Sequence, residues 1–237
     1  MKHLLVLSAI ATILVSCSNS TVTPESTSFT VPATGSSYTF LMYNTDSLDV
    51  KIPGSDVSTL DTVLASGITF LGKSGVWIIT SESIESNSTQ YTDTTSFCVD
   101  KNNDVLMHGQ GSLSGDLWVR LPVTSGSVFK DSISSQDEID GIQVEKRFVV
   151  TSSRIGQEQL TIGTTTIQTV KLSVNATVKS IMLGQVIGEM AIPSTVWYAP
   201  SLGNFVRIEH PPTKLVGPDL DFDFDGSYKL LQSYNLK

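Results

Sequence analysis

The chain has 237 residues, 40% hydrophobic and only 16% charged, with a formal net charge of −8. That apolar share excludes a wholly disordered chain, and the length suffices for a sizeable core in one or two domains. The acidic balance argues against a nucleic-acid partner, which needs a basic stripe against the phosphates, and two cysteines exclude a disulfide-dense scaffold. Ser and Thr together number 59. Thr is β-branched and favours strands, and hydroxyls hold water without adding charge, so the composition reads as a strand-rich surface.

The chain opens Met1-Lys2-His3, then runs from Leu4 to Val15 with almost no polar residue. A short cationic start before an apolar run of about 7–15 residues is the pattern of a secretory signal. The run is shorter than the ~20 residues that span a bilayer. Its end, Leu14-Val15-Ser16-Cys17, resembles the bacterial lipobox. The resemblance implies that residues 1–16 are a lipoprotein signal peptide, cut before Cys17, whose thiol is diacylated. Two or three acyl chains hold a protein to a membrane persistently, so the membrane is the expected partner through this N-terminal lipid. Ser18, not Asp, follows Cys17. By analogy with enterobacterial sorting this favours the outer membrane, which gives an expected location in the bacterial cell envelope. Residues 17–28 then form a flexible, polar tether after the lipidated Cys17.

Residues 29–237 read as a single β-rich domain. Ser37 to Tyr43 is a strand, followed by the turn Asn44-Thr45-Asp46. Residues 56–65 are the best helix candidate, with Asp56 or Ser58 as cap and Val57, Leu60, Val63 and Leu64 facing inward. Ile68 to Leu71 and Val76 to Thr80 flank Gly72-Lys73-Ser74-Gly75 and read as a hairpin. Thr89 to Val99 is a long strand, 100–104 a turn, Val105 to His108 the return, and Leu117 to Leu121 a strand stopped by Pro122. The acidic stretch 131–141 reads as a loop, mobile or holding one helical turn. Residues 143–151, 159–162, 165–175 and 177–182 continue as strands, with turns at Gly163-Thr164 and Asn175-Ala176. Val196 to Ala199, Phe205 to Glu209 and Tyr228 to Asn235 close the series. Strands with frequent turns and no βαβ rhythm predict an all-β, mostly antiparallel fold. The expected form is a strongly curved half-barrel or sandwich with at most one or two short helices.

Chemistry-bearing motifs are few. Asp221-x-Asp223-x-Asp225-Gly226 matches the first half of a calcium loop, with oxygen ligands at positions 1, 3 and 5 and Gly at 6. Position 12 is Gln232 rather than a bidentate Glu. The same stretch also fits a strand with Leu220, Phe222 and Phe224 inward and the acids outward. Calcium at Asp221, Asp223 and Asp225 is thus the one cofactor the sequence suggests. His108 and His210 lie far apart without close Cys or His partners, unlike the spacing of a zinc site. There is no Gly-x-Ser-x-Gly, Ser-x-x-Lys, His-Glu-x-x-His or phosphate loop, so no catalytic residue is assigned. Carboxylate pairs such as Glu82/Glu85 and Asp137/Glu138 are expected by chance among 23 acids. Cys98 reads as a small buried apolar residue.

Three segments carry a resemblance to a group of uncharacterised bacterial lipoproteins. Pro32 to Phe40 is similar to their P-x-x-G-S-x-W-x-Y strand, with Tyr38 in place of Trp. Val196-Trp197-Tyr198-Ala199-Pro200-Ser201-Leu202-Gly203 to Arg207 looks like their W-Y-A-P-x-x-G-x-V-K segment. Tyr228 to Leu236 resembles their terminal E-L-x-S-Y strand. The resemblance implies an antiparallel half-barrel in the style of envelope lipoprotein carriers, without a known activity. Trp197 and Tyr198 are neighbours on a strand and point to opposite faces. The expected function is a non-enzymatic, membrane-anchored envelope protein that binds an apolar ligand or lipid in its curved sheet, lined by Trp77, Trp118, Trp197 and Tyr198. The alternative is a cell-surface interaction module with a filled core, whose partner is an envelope protein.

Overall fold

The computed structural model describes residues 29–84, 90–109, 116–139, 141–218 and 220–237. The expected signal peptide and tether, with Cys17, and also Glu85 lie outside them. Among the described residues the chain is all-β and antiparallel, with no helix. Its strands are β1 (Ser37–Thr45), β2 (Val57–Phe70), β3 (Lys73–Ile84), β4 (Gln90–Val99), β5 (Val105–Gly109), β6 (Val119–Leu121) and β7 (Val128–Ile139). They continue as β8 (Ile142–Ile162), β9 (Thr165–Met182), β10 (Gln185–Ala199), β11 (Asn204–His210), β12 (Thr213–Gly217), β13 (Leu220–Phe224) and β14 (Gly226–Asn235). All belong to one sheet, ordered β6-β5-β4-β3-β2-β1-β14-β11-β10-β9-β8-β7, with the β12–β13 hairpin attached to β10.

The sheet curls until its two ends meet, giving a nearly closed barrel. The seam between β6 and the β7–β8 pair is closed by side chains rather than by a backbone ladder. The Arg120 backbone N–H donates to Asp131 at 2.9 Å, the Ser152 hydroxyl donates to the Arg120 carbonyl, and the Arg154 guanidinium reaches the Val123 carbonyl at 3.2 Å. Arg120 also lies over the Phe129 ring at 4.6 Å. The two ends of the sheet, β6 and β7, are thus held together without ladder pairing between them.

One end of the barrel is plugged. After Ala199 the chain turns through Pro200 to Gly203, and the Ala199 carbonyl accepts the N–H groups of Leu202 and Gly203 at 3.0 Å. Two distant aromatics reach this turn. The Tyr38 hydroxyl donates to the Leu202 carbonyl at 2.6 Å, and the Trp77 indole N–H donates to the Gly203 carbonyl at 2.9 Å. Both side chains are fully buried, so these bonds answer polar groups that would otherwise be stranded. Phe29 packs against Tyr198, and the Thr30 N–H bonds to the Pro200 carbonyl at 2.9 Å. The first and closing segments that carry the sequence resemblance therefore meet in space, 164 residues apart in the chain.

Several expectations are corrected. Of the helix candidate 56–65, residues 57–65 belong to strand β2, not a helix: Val57, Thr59, Asp61 and Val63 share one face, whereas Leu60 and Leu64 are exposed. The acidic stretch 131–141 contributes most of strand β7, paired along its length with β8. Asn175-Ala176 is not a turn, because β9 runs unbroken from Thr165 to Met182. The reversal comes at Leu183-Gly184, and the β2–β3 reversal at Leu71-Gly72. In both, the two central residues have positive φ, as a two-residue hairpin of matching twist requires. Phe222 and Phe224 are 55% and 45% exposed, so the β13 aromatics do not enter the core.

The plug makes Gly203 the least replaceable residue of the floor. Its φ is +63°, and a Cβ there would sit 2.6 Å from Pro32 Cδ and 2.7 Å from the Thr30 carbonyl oxygen. Gly203→Ala is expected to lower unfolding stability by about 2 kcal/mol or more. Leu183, 85% exposed at a φ of +52°, is in the opposite position. Leu183→Asn is expected to raise stability by about 0.5–1 kcal/mol, since Asn tolerates this conformation better. Chemical denaturation of the 29–237 domain measures both.

Candidate functional site

Above the plug the barrel is hollow. A cavity of about 610 Å³ occupies its interior. Phe97 and Phe205 form its floor, edge to face at 5.6 Å, and Trp77 stacks against Phe97 at 5.8 Å. Phe40, Ile79, Met107, Leu121, Val174 and Val196 supply apolar wall. The polar lining gathers toward the open end on the β1–β4 side, where Asn44 and Asp93 are exposed.

One charged pair lies along the wall of this interior, on the two strands that flank β1. Lys229 on β14 places its ammonium 3.0 and 2.9 Å from the two carboxylate oxygens of Asp61 on β2, and 3.0 Å from Ser81 Oγ on β3. The Ser81 hydroxyl donates in turn to Asp61. The Lys229 and Asp61 side chains are 16% and 7% exposed, and the ammonium sits 4.3 Å from the Phe40 ring centroid. The three ammonium donors are thus all engaged within the protein.

A second polar pair faces the cavity from β10 and β11. Ser194 Oγ and His210 Nδ1 lie 2.7 Å apart. Burial lowers the His210 pKa below its ordinary value, which favours the neutral ring. Two further lining residues carry buried polar atoms with no hydrogen-bond partner among the described residues: Asn204 Nδ2 and Thr59 Oγ1. Asn204 and Thr59 are each only 4% exposed. The Asn204 carbonyl oxygen is already occupied by the Phe205 N–H at 2.8 Å.

The apolar wall continues beyond the cavity. Val174 and Val178 lie on the same face of β9, four residues or about 13 Å apart. At that level the register aligns Ile133, Phe148, Val178, Met190, Leu215 and Phe222 across six strands. The result is an apolar belt on the inner face of a tall wall, whose β9 tip at Met182 stands about 26 Å beyond Val174.

The residues singled out from sequence fall elsewhere. Trp77 is fully buried beneath the floor. Tyr198 is fully buried in the plug, 5.8 Å from Phe205, and burial pushes its phenol pKa up. Trp197 pairs with Lys171 and Arg207 on the face opposite the cavity-lining Val196 and Ile208. There it lies beneath the Lys171 ammonium and the Arg207 guanidinium at 4.7 and 4.4 Å, and donates to Glu158 at 2.7 Å. Trp118 packs on a small cluster of Val76, Cys98 and Leu106. None of the four is among the cavity-lining residues, a correction to the expected aromatic lining. Cys98 is buried there, and desolvation raises its thiol pKa. Asp221 and Asp223 lie on an extended strand opposite Lys214, whose ammonium is 3.6 and 3.1 Å away, and Asp225 follows at the turn into β14. Among the described residues no three His, Cys, Asp or Glu side chains gather as metal ligands do.

No protein-family model and no curated protein matches the chain. A crystal structure from Bacteroides fragilis NCTC 9343, described as a presumed exported protein with a YmcC-like fold, is similar in outline. It has 11% identity and a TM-score of 0.41, with 88% of this chain and 99% of that one covered.

Lys229→Met would leave the Asp61 carboxylate buried without its counter-charge, and a loss of about 3–5 kcal/mol is expected. The double variant Asp61→Leu/Lys229→Met should recover most of it, as read by chemical denaturation at pH 7. His210 sets a pH dependence. Its folded pKa lies below the unfolded value of about 6.5, so the unfolded chain takes up the proton first as pH falls. Its contribution is complete above pH 6.5 and is lost between the unfolded and folded pKa values. In His210→Asn that segment of the stability–pH curve should flatten.

Proposed function

We propose that the protein is a lipid-anchored protein of the bacterial envelope that carries an apolar or amphipathic ligand inside its barrel, without catalysing a reaction. The observation that supports this most is the unfilled interior: about 610 Å³ behind apolar walls, within the size range of small-molecule sites. A cell-surface module with a filled core would need no such space. The belt from Ile133 to Phe222 adds an apolar surface on the wall beyond the cavity. The cationic start, the short apolar run and Leu14-Val15-Ser16-Cys17 supply the export and anchoring half of the reading. Attachment through Cys17 at the outer membrane fits Ser18 in the following position.

Two measurements test the halves separately. Intact-mass analysis of protein made in a bacterial host should find a chain beginning at Cys17 and carrying acyl chains; an unmodified thiol at Cys17 would refute the anchor. For the cavity, Val174→Trp should reduce uptake of a fluorescent C12–C16 acyl probe at least tenfold while the melting temperature moves by only a few degrees. Equal uptake by this variant and the parent would remove the barrel interior as the binding site.

A further inference from the structure

We infer that strand β13 is a docking edge for an extended segment of another protein, one whose side chains alternate between basic and apolar. The inference stands apart from the cavity and needs no ligand inside it.

β13 (Leu220–Phe224) is hydrogen-bonded along one edge, to β12, and among the described residues no strand pairs with its other edge. In an antiparallel pair every second residue turns its N–H and C=O away from the partner. The open edge of β13 therefore offers backbone donors and acceptors to an incoming strand. Asp221, Phe222, Asp223 and Phe224 are all exposed, so the ribbon meets solvent on both faces as well as along that edge. Phe222 and Phe224, 55% and 45% exposed, belong to neither cluster of the core. An edge built only to discourage pairing gains nothing from two half-exposed aromatics, whereas a docking edge gains apolar area to bury.

The charges say what kind of strand fits. Asp221 and Asp223 lie on the face opposite the two phenylalanines, and Asp225 follows at the turn into β14. The Lys214 ammonium on β12 is shared between Asp221 and Asp223, at 3.6 and 3.1 Å, so that face keeps a negative balance. A second copy of this chain is a poor occupant. Antiparallel pairing centred on Phe222 would set Asp221 of each copy against Asp223 of the other, and like charges directly opposite are destabilising. A strand with Lys or Arg at every second position instead places cations across from Asp221 and Asp223. Its intervening apolar side chains then cover Phe222 and Phe224. Main-chain hydrogen bonds supply affinity in this mode, and the alternation supplies selectivity.

The test uses two blocked, fluorescent nine-residue peptides, one alternating lysine with valine and one alternating glutamate with valine. Each is titrated by anisotropy, at about 0.15 M salt, against the native protein purified from a bacterial host in mild detergent. The lysine peptide is expected to bind at least tenfold more tightly and to slow amide hydrogen exchange over residues 220–224. The same peptide N-methylated throughout keeps every charge but donates no backbone hydrogen bond, and should lose at least tenfold. Asp221→Asn/Asp223→Asn and Phe222→Ser/Phe224→Ser should each weaken binding several-fold while the melting temperature moves by only a few degrees, since all four side chains are exposed. Equal binding of the methylated and unmethylated peptides would overturn the inference, because charge alone would then attract the peptide. Unchanged binding by both double variants, unchanged exchange over 220–224, or no binding of the lysine peptide would overturn it as well. Each of these results leaves the carrier reading standing, which the acyl probe tests independently.

Discussion

The barrel depends on the two hydrogen bonds that Tyr38 and Trp77 donate to the Leu202–Gly203 turn. A sheet of fourteen strands can curl with many radii, and hairpin ladders alone do not choose among them. These two bonds tie β1 and β3 to the β10–β11 connection across the interior, which fixes the width of one end. Around them pack Tyr198, Phe205 and Phe97. The plug is thus both a fully buried part of the core and the floor on which the cavity stands. The tall wall of β8, β9 and β10 needs no such tie, because its ladders are long and mutually supporting.

The Lys229–Asp61–Ser81 cluster is a different kind of element. An apolar replacement of matching volume would keep the barrel wall closed and often costs little stability, whereas losing one partner alone is severe. A buried ion pair in the cavity wall therefore shapes what the space accepts more than it strengthens the fold. The same holds for Ser194 and His210, which are joined to each other and present limited polarity to the interior.

Much of the architecture was legible in the sequence, and the failures have physical causes. Hydrophobic alternation and turn residues identified most strands, the antiparallel class and the absence of a βαβ rhythm. The stretch 56–65 misled because the strand's inward face carries Thr59 and Asp61, which line the cavity and break the apolar period of two. The site itself thus concealed the strand that bears it. Residues 131–141 misled because β7 ends the sheet, where charges such as Asp131 and Asp137 are favourable on an edge. Asn175-Ala176 looked like a turn, yet no glycine follows at a φ-demanding position, and Leu183-Gly184 supplies one. The cavity was illegible because its lining is scattered over ten strands, each giving it one to four residues. The tryptophans drew attention by size, but large rigid aromatics serve the plug and the outer shell, and smaller side chains leave the void.

The position of the first described residues has a directional consequence. Phe29 and Thr30 are fastened beneath the plug, against Tyr198 and Pro200. Whatever precedes them departs from the sealed pole of the barrel. An attachment made on that side would thus pull on the closed pole and not on the rim of the aperture.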